Sequence, residues 1–180
     1  MSRVVLSIGS NLGDRLARLQ AAVDAIGDAV VTVSPVWESD AWGGVEQQPF
    51  LNAALIADDP ALDGPGWLRR AQQIERDNER VRTQRWGPRT LDIDLVCCFD
   101  GEGEVFSDDP ELILPHPFAH QRAFVLIPWL AVDPTAELSV AGRRRPVRAI
   151  LDTLDEAERR GVRTTEFILT SRATRPEDSR

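Results

Sequence analysis

The sequence predicts a single α+β sandwich with a mostly antiparallel sheet. Three observations predict it. Short β-branched runs alternate with amphipathic stretches of helical period, in the order β-α-β-β-α-β-α. The chain has 180 residues, enough to bury roughly 70% of its unfolded surface without a metal or disulfide staple. No internal repeat divides it. The expected organisation is one domain over residues 1–170 and a polar, disordered tail over 171–180.

The first strand is expected over residues 3–8, ending at Gly9, with a turn over 9–14. Leu16, Leu19, Val23 and Ile26 recur at helical spacing, and Gly27 stops that helix. Residues 30–37 read as a second strand, 38–48 as a loop and 49–57 as a third strand. Trp67, Leu68, Ala71, Ile74 and Val81 mark one face of a helix over 67–81. A loop over 82–89 contains Trp86, Gly87 and Pro88. A fourth strand over 90–99 sets Leu91, Ile93 and Leu95 against Asp92 and Asp94. A hairpin-like piece follows around Val105, then an extended segment over 112–117, since proline restricts the residue before it. Residues 120–132 read as a buried helix bent near Pro128. Residues 137–147 read as a small hairpin with Arg143, Arg144 and Arg145 at its tip, and 147–154 as a short helix.

Composition narrows the chemistry. The net charge of −8 disfavours a broad nucleic-acid-binding face. No apolar run approaches the ~20 residues that cross a bilayer. The run over 4–8 is too short for a signal-peptide core, so the expected setting is soluble and cytoplasmic. Lysine is absent. A P-loop, a lysine-dependent protein kinase and a Schiff-base enzyme are thereby excluded. Any phosphate must be held by Arg, His, backbone N–H groups or a metal. Arg69, Arg70, Arg76, Arg80, Arg82, Arg85 and Arg89 gather in one stretch. Cys97 and Cys98 are adjacent in an apolar strand, with side chains expected on opposite faces and no metal spacing.

Asp92 and Asp94, two apart on a strand, share a face. Their mutual repulsion is relieved by a divalent cation, and oxygen-only ligands favour Mg²⁺ with water and phosphate completing its shell. A solvent-facing strand can also carry two acids. The preceding loop singles this pair out: Arg82, Arg85 and Arg89 flank an exposed Trp86, and guanidinium forks match phosphate oxygens. His116 and His120 are four apart, but Pro117 and the lack of a third His argue against zinc. His116 can instead donate to a phosphate. A non-catalytic ligand-binding module would not need the acid pair.

Several runs in order resemble the 6-hydroxymethyl-7,8-dihydropterin pyrophosphokinases. They are Ile8-Gly9-Ser10-Asn11-Leu12-Gly13, Phe50-Leu51-Asn52-Ala53-Ala54, Arg80-Val81-Arg82, Leu114-Pro115-His116-Pro117 and Arg122-Ala123-Phe124-Val125. Above all stands Arg85-Trp86-Gly87-Pro88-Arg89-Thr90-Leu91-Asp92-Ile93-Asp94. The resemblance covers residues 1–154 and implies a ferredoxin-like fold, working as a monomer. It implies transfer of pyrophosphate from ATP to a pterin hydroxyl, with AMP leaving, in folate biosynthesis. Two Mg²⁺ ions on Asp92 and Asp94 are implied. Gln72, Glu75, Arg82, Trp86, Arg89, Leu95, His116 and Arg122 match the family's ATP-binding set by position, and Arg80 and Arg85 match further loop arginines. Ser39, Asp40, Trp42, Phe50, Asn52, Trp86 and Phe124 match its pterin-binding set. With Asp92 and Asp94, Arg82 and Arg89 are the expected catalytic residues. The chain departs from the family's usual pattern at Asp40, where many members carry Pro, and at Pro117, where Tyr is frequent. Nothing beyond Leu154 is assigned a function.

Overall fold

The computed structural model describes residues 2–41, 46–78 and 90–172. Trp42, Arg80, Arg82, Arg85, Trp86 and Arg89, all expected in the site, lie outside the described residues. Strand β1 (Ser2–Ser10) is longer than expected and includes Gly9 and Ser10. Helix α1 (Arg15–Ile26) follows. Asp14 caps it by accepting from the Ala17 N–H at 3.0 Å. Gly27, at a φ of 63°, ends it where a side chain would be strained.

The expected second strand is split into β2 (Val30–Val33) and β3 (Trp37–Ser39). Pro35 lies between them and has no N–H for a ladder. Ser34 bridges the gap. Its N–H donates to the Ala54 carbonyl and its hydroxyl accepts from the Ala54 N–H, both at 2.9 Å. Both pieces pair with the long strand β4 (Phe50–Asp59). Helix α2 (Gly64–Asp77) starts before Trp67, because Asp63 accepts from the Gly66 N–H at 2.7 Å and Pro65 suits a first turn.

Strand β5 (Asp92–Asp100) pairs with β1 and with β6 (Gly103–Val105). A small hairpin of β7 (Ser107–Asp109) and β8 (Leu112–Leu114) follows. After a 3₁₀ turn at Ala119–Gln121 comes α3 (Ala123–Val132), which contains Pro128. The second hairpin pairs β9 (Glu137–Val140) with β10 (Arg143–Pro146). Its tip is Ala141-Gly142, both at positive φ, and not the arginines, which lie on β10. Helix α4 (Val147–Asp152) leads to two elements that the sequence did not announce, α5 (Glu156–Arg160) and β11 (Val162–Thr164).

The main sheet has the order β11-β3-β4-β1-β5-β6, with β2 also on β4, and its pairings are antiparallel. The first half is a β-α-β-β-α-β unit whose second strand is interrupted. Helices α1 and α2 cover one face, where Leu19, Val23, Trp67 and Ile74 meet Leu6, Ile8, Leu55 and Leu95. Helices α3 and α4 cover the other, where Leu126, Trp129 and Ile150 meet Val5, Ile56, Val96 and Cys97. Val5 pairs with Cys97 and Leu6 with Leu95, so Val96 is a bulge. Cys97 and Cys98 enter opposite cores as free thiols. Of the expected polar tail, Ser171 is buried and Arg172 pairs with Asp28 at 3.1 Å.

Candidate active site

The site residues collect at one end of the three central strands, on the face away from α1 and α2. Gly9 pairs with Asn52 of β4 on one side and with Asp92 of β5 on the other. In the next row Ser7 lies between Ala54 and Asp94. Alternation sends Leu6 and Ile8 into the α1–α2 core, so Ser7 and Gly9 face the opposite side. A Cβ on Gly9 would stand 3.1 Å from Asn52 Oδ1 and 3.5 Å from Phe50 Cδ1. Glycine therefore leaves room for the Asn52 amide and the Phe50 ring to pack against this position. The sequence reading took Gly9 for a turn residue. The GlySer pair ending a β-branched run was the signal available, and it did not reveal cross-strand neighbours.

Asn52 is 2% exposed, and its amide donates to Ser39 Oγ at 2.6 Å. That bond joins the end of β3 to β4. Phe50 pairs with Ser39 and is half-buried. Asn11, fully buried, donates to Gln47 Oε1 and the Gln48 carbonyl, both at 2.9 Å. It thereby ties the turn after β1 to the segment entering β4.

On the other side of Gly9, Asp94 Oδ2 lies 3.3 Å from Arg122 Nη1 and 3.8 Å from His116 Nε2. Arg122 is 5% exposed, and its guanidinium stands 5.5 Å from the Phe118 ring and 5.6 Å from the Phe124 ring. Two aromatic faces hold it flat. His116 Nδ1 accepts from the Phe118 N–H at 3.1 Å, so the neutral ring carries its proton on Nε2, toward Asp94. Burial, followed by the neighbouring Arg122, lowers the His116 pKa to about 4. The ring is a neutral donor at physiological pH.

Among the described residues β5 meets β6 through Cys98, Phe99 and Asp100, and no strand pairs with its first half on that side. Glu75 of α2, 3% exposed, closes part of that edge by accepting from the Ile93 N–H at 2.8 Å. The His116 N–H closes another part by donating to the Val96 carbonyl at 2.8 Å. Glu75 thus anchors the segment that presents both aspartates. Leu95 is 4% exposed with its side chain in the α1–α2 core, which leaves its backbone for any nucleotide contact. Gln72 is exposed on α2. His120 sits on the 3₁₀ turn beside Gln121. The structure gathers Ser39, Phe50, Asn52, Asp92, Asp94, His116, Arg122 and Phe124 at this end.

Asp40 turns outward: its Oδ1 accepts from Arg163 Nη1 at 3.0 Å. A cavity of about 230 Å³ lies between Ser39, Asp40 and Phe124 and the segment after α4. Sequence reasoning missed that segment, whose short polar elements carry no strong periodicity.

The donor set suits a hard cation. Asp92 and Asp94 offer carboxylate oxygens only, and no group of three or more His, Cys, Asp or Glu ligands is present among the described residues. A cation held by two carboxylates completes its shell with water and phosphate oxygens, as Mg²⁺ does.

The family model for 7,8-dihydro-6-hydroxymethylpterin-pyrophosphokinase (HPPK) matches residues 5–134. A Mycobacterium bovis protein named 2-amino-4-hydroxy-6-hydroxymethyldihydropteridine pyrophosphokinase is 59% identical over 168 residues, 91% of this chain and 89% of its own length. A Mycobacterium leprae protein of the same name is 57% identical over 182 residues, 98% of this chain and 95% of its own. Among solved structures, wild-type Plasmodium falciparum HPPK-DHPS with pteroate superposes with a TM-score of 0.62 at 13% identity, covering 84% of this chain. This chain spans 42% of that protein, and the likeness speaks to the fold alone. The chain belongs to the 7,8-dihydro-6-hydroxymethylpterin-pyrophosphokinase family.

Proposed function

We infer that the protein transfers pyrophosphate from ATP to the hydroxyl of 6-hydroxymethyl-7,8-dihydropterin, releasing AMP, in folate biosynthesis. Family membership and the names of its relatives support the reaction. The observation that carries the site is the row Asn52–Gly9–Asp92, in which an amide that reads a heterocycle edge and a carboxylate flank one glycine.

In this reading the pterin lies over Gly9, between Phe50 and Phe124, with Asn52 at its edge and Ser39, Asp40, Trp42 and Trp86 completing the surround. Gln72, Glu75, Arg80, Arg82, Arg85, Trp86, Arg89, Leu95, His116 and Arg122 form the ATP side. The hydroxyl gives up its proton, by way of Asp92 or Asp94, to solvent; its oxygen bonds to the β-phosphorus, the bond from that phosphorus to the α–β bridging oxygen breaks, and AMP leaves with that electron pair. His116 donates from Nε2 to a phosphate oxygen, and its neutrality leaves the proton in place throughout. Arg122, fixed between two rings, orients Asp94. Arg82 and Arg89 grip the transferred group more tightly in the transition state than in bound ATP. Asp92 and Asp94 would hold two Mg²⁺ ions, which supply charge neutralisation and polarise the phosphoryl group when bound.

We also take the protein to be a cytoplasmic monomer. No described helix is long and apolar enough to cross a membrane, and the charge of −8 is compatible with a dissolved protein. The deciding assay follows AMP by ³¹P NMR with ATP, Mg²⁺ and pterin. AMP is expected only when the hydroxymethyl-dihydropterin is present. AMP release independent of the pterin would overturn the reading.

A further inference from the structure

The family match ends at residue 134, yet the chain beyond it returns to the proposed pterin site. Helix α3 begins at Ala123 with no side-chain cap from Arg122, the residue before it. The first N–H groups of a helix need acceptors. Ala123 is fully buried, so water cannot serve its N–H. Glu158 of α5 does: its Oε1 accepts from the Ala123 N–H at 3.0 Å, and its charge suits a helix N-terminus. That turn of α3 carries Arg122 and Phe124, one wall of the site.

The next residues hold the other wall. β11 pairs antiparallel with β3, Val162 opposite Ser39 and Arg163 opposite Glu38. The Gly161 carbonyl accepts from the Asp40 N–H at 3.2 Å. Arg163 reaches Asp40 at 3.0 Å and Glu38 at 3.3 Å, and Arg15 binds the other Glu38 oxygen at 3.1 Å. The 230 Å³ cavity is bounded by Ser39, Asp40 and Phe124 on the site's side and by Glu158, Gly161 and Val162 on this one. One short segment therefore grips both walls. It also accounts for the acid at position 40, which is the partner of Arg163.

We propose that residues 156–164 form a strap that positions the pterin site, with Glu158 setting the Phe124 wall and Arg163 the Ser39–Asp40 wall. This rests on the pterin pyrophosphokinase reading. Both residues are positioning residues, since each acts through a residue on another element. Losing Arg163 should loosen the Ser39–Asp40 wall, which weakens the pterin and spares ATP; losing Glu158 should loosen the turn that carries both Phe124 and Arg122, which weakens the pterin and also disturbs Asp94.

The test is steady-state kinetics with pterin and ATP varied separately, together with a fluorescence titration of the pterin in the presence of a non-hydrolysable ATP analogue. Glu158→Ala should raise the pterin KM and Kd about tenfold and also lower kcat, because Arg122 lies on the same turn as Phe124. Glu158→Gln keeps an oxygen for the Ala123 N–H and should recover to within about threefold of wild type. Arg163→Ala, on the surface, should raise the pterin KM about threefold. If Glu158→Ala does not fold, Arg163→Ala decides alone. An unchanged pterin KM in the variants that fold, or for Arg163→Ala a parallel rise in both KM values, overturns the strap and leaves the reaction standing. A wild-type protein that forms no AMP from ATP and pterin overturns the reaction and the strap with it.

Discussion

Gly9→Ala adds one methyl group at the centre of the proposed pterin site. The backbone tolerates it, because Gly9 is not among the residues at positive φ. The new Cβ would stand 3.1 Å from Asn52 Oδ1, closer than ordinary van der Waals contact, and 3.5 Å from Phe50 Cδ1. Asn52 cannot yield freely, since its amide is held by Ser39 at 2.6 Å and its side chain is buried. Two effects on stability oppose each other. A tight contact costs something, and replacing glycine gains about 0.4–1 kcal/mol through the unfolded chain. The expected net change is within about 1 kcal/mol, a few degrees in Tm. Binding has no such compensation. The methyl occupies the plane where the ring would lie, and the displaced amide misses its hydrogen bonds, together worth about 1–3 kcal/mol. The pterin Kd should rise about 10- to 100-fold while the ATP KM stays within about twofold. Thermal melting with pterin titration measures both. A well-folded Gly9→Ala variant that binds pterin within about twofold of wild type refutes the placement of the ring over Gly9.

Asp92→Asn and Asp94→Asn should each lower kcat/KM by at least about a thousandfold, the loss of several kcal/mol of charge stabilisation. Asp94→Asn should also cost more stability, because it removes a charge that buried Arg122 touches at 3.3 Å. Comparable turnover in either variant counts against the metal pair, as does undiminished AMP release after chelation. For His116, the folded pKa near 4 lies below the ordinary 6.5, so the unfolded chain takes up its proton first as pH falls. Stability is full above about pH 6.5 and declines toward pH 4, by up to about 3 kcal/mol. Urea midpoints of the metal-free protein at pH 7 and 4.5, compared with His116→Gln, read this: the variant should lose less on acidification, and equal losses refute it. Burial pushes the Cys98 pKa up to about 12 and the Cys97 pKa well above the ordinary thiol value. Both thiols should therefore resist a disulfide reagent at pH 8 until the protein unfolds. Rapid labelling of the folded protein would contradict their burial.

Much of the fold was legible because the strong elements carry strong periodicity. Alternation over β5 placed Asp92 and Asp94 on one face, and that placement is reproduced by their pairing with Gly9 and Ser7. The period of α1 and its glycine stop matched the helix found at Arg15–Ile26. Failures have local causes. β2 and β3 read as one strand because Ser34 imitates a ladder contact across Pro35. The arginine run lies on β10 and not at the hairpin tip, because Ala141-Gly142 take the positive φ that the turn needs. β11 was invisible because Val162–Thr164 is too short to show a pattern and becomes a strand only by meeting the edge of β3. Within the site, Asn52, His116 and Arg122 carried recognisable motifs, whereas the importance of Gly9 exists only in register with two other strands.

The electrostatics of the site follow from the same register. Two carboxylates lie side by side on β5, and the cation that the described residues bring to Asp94 is Arg122. The neighbouring imidazole adds no charge, because burial and Arg122 itself hold His116 neutral. Arg122 cannot lose its proton at any working pH, and its ring slot leaves it little freedom to follow a moving phosphate. Its place in the arrangement is to fix Asp94. In the proposed reading a divalent cation and cations on the nucleotide side relieve the remaining negative charge. In a chain without lysine those cations are arginines. An enzyme so arranged should bind ATP weakly without metal, because the triphosphate then meets the carboxylates of Asp92 and Asp94 with no metal between them. It should bind Mg²⁺ weakly without ATP, because two carboxylates alone leave most of its shell to water. Calorimetric titrations of ATP with and without Mg²⁺, and of Mg²⁺ with and without a non-hydrolysable ATP analogue, should show each ligand tightening the other by the same factor. Independent binding of the two would place the metal elsewhere than on Asp92 and Asp94.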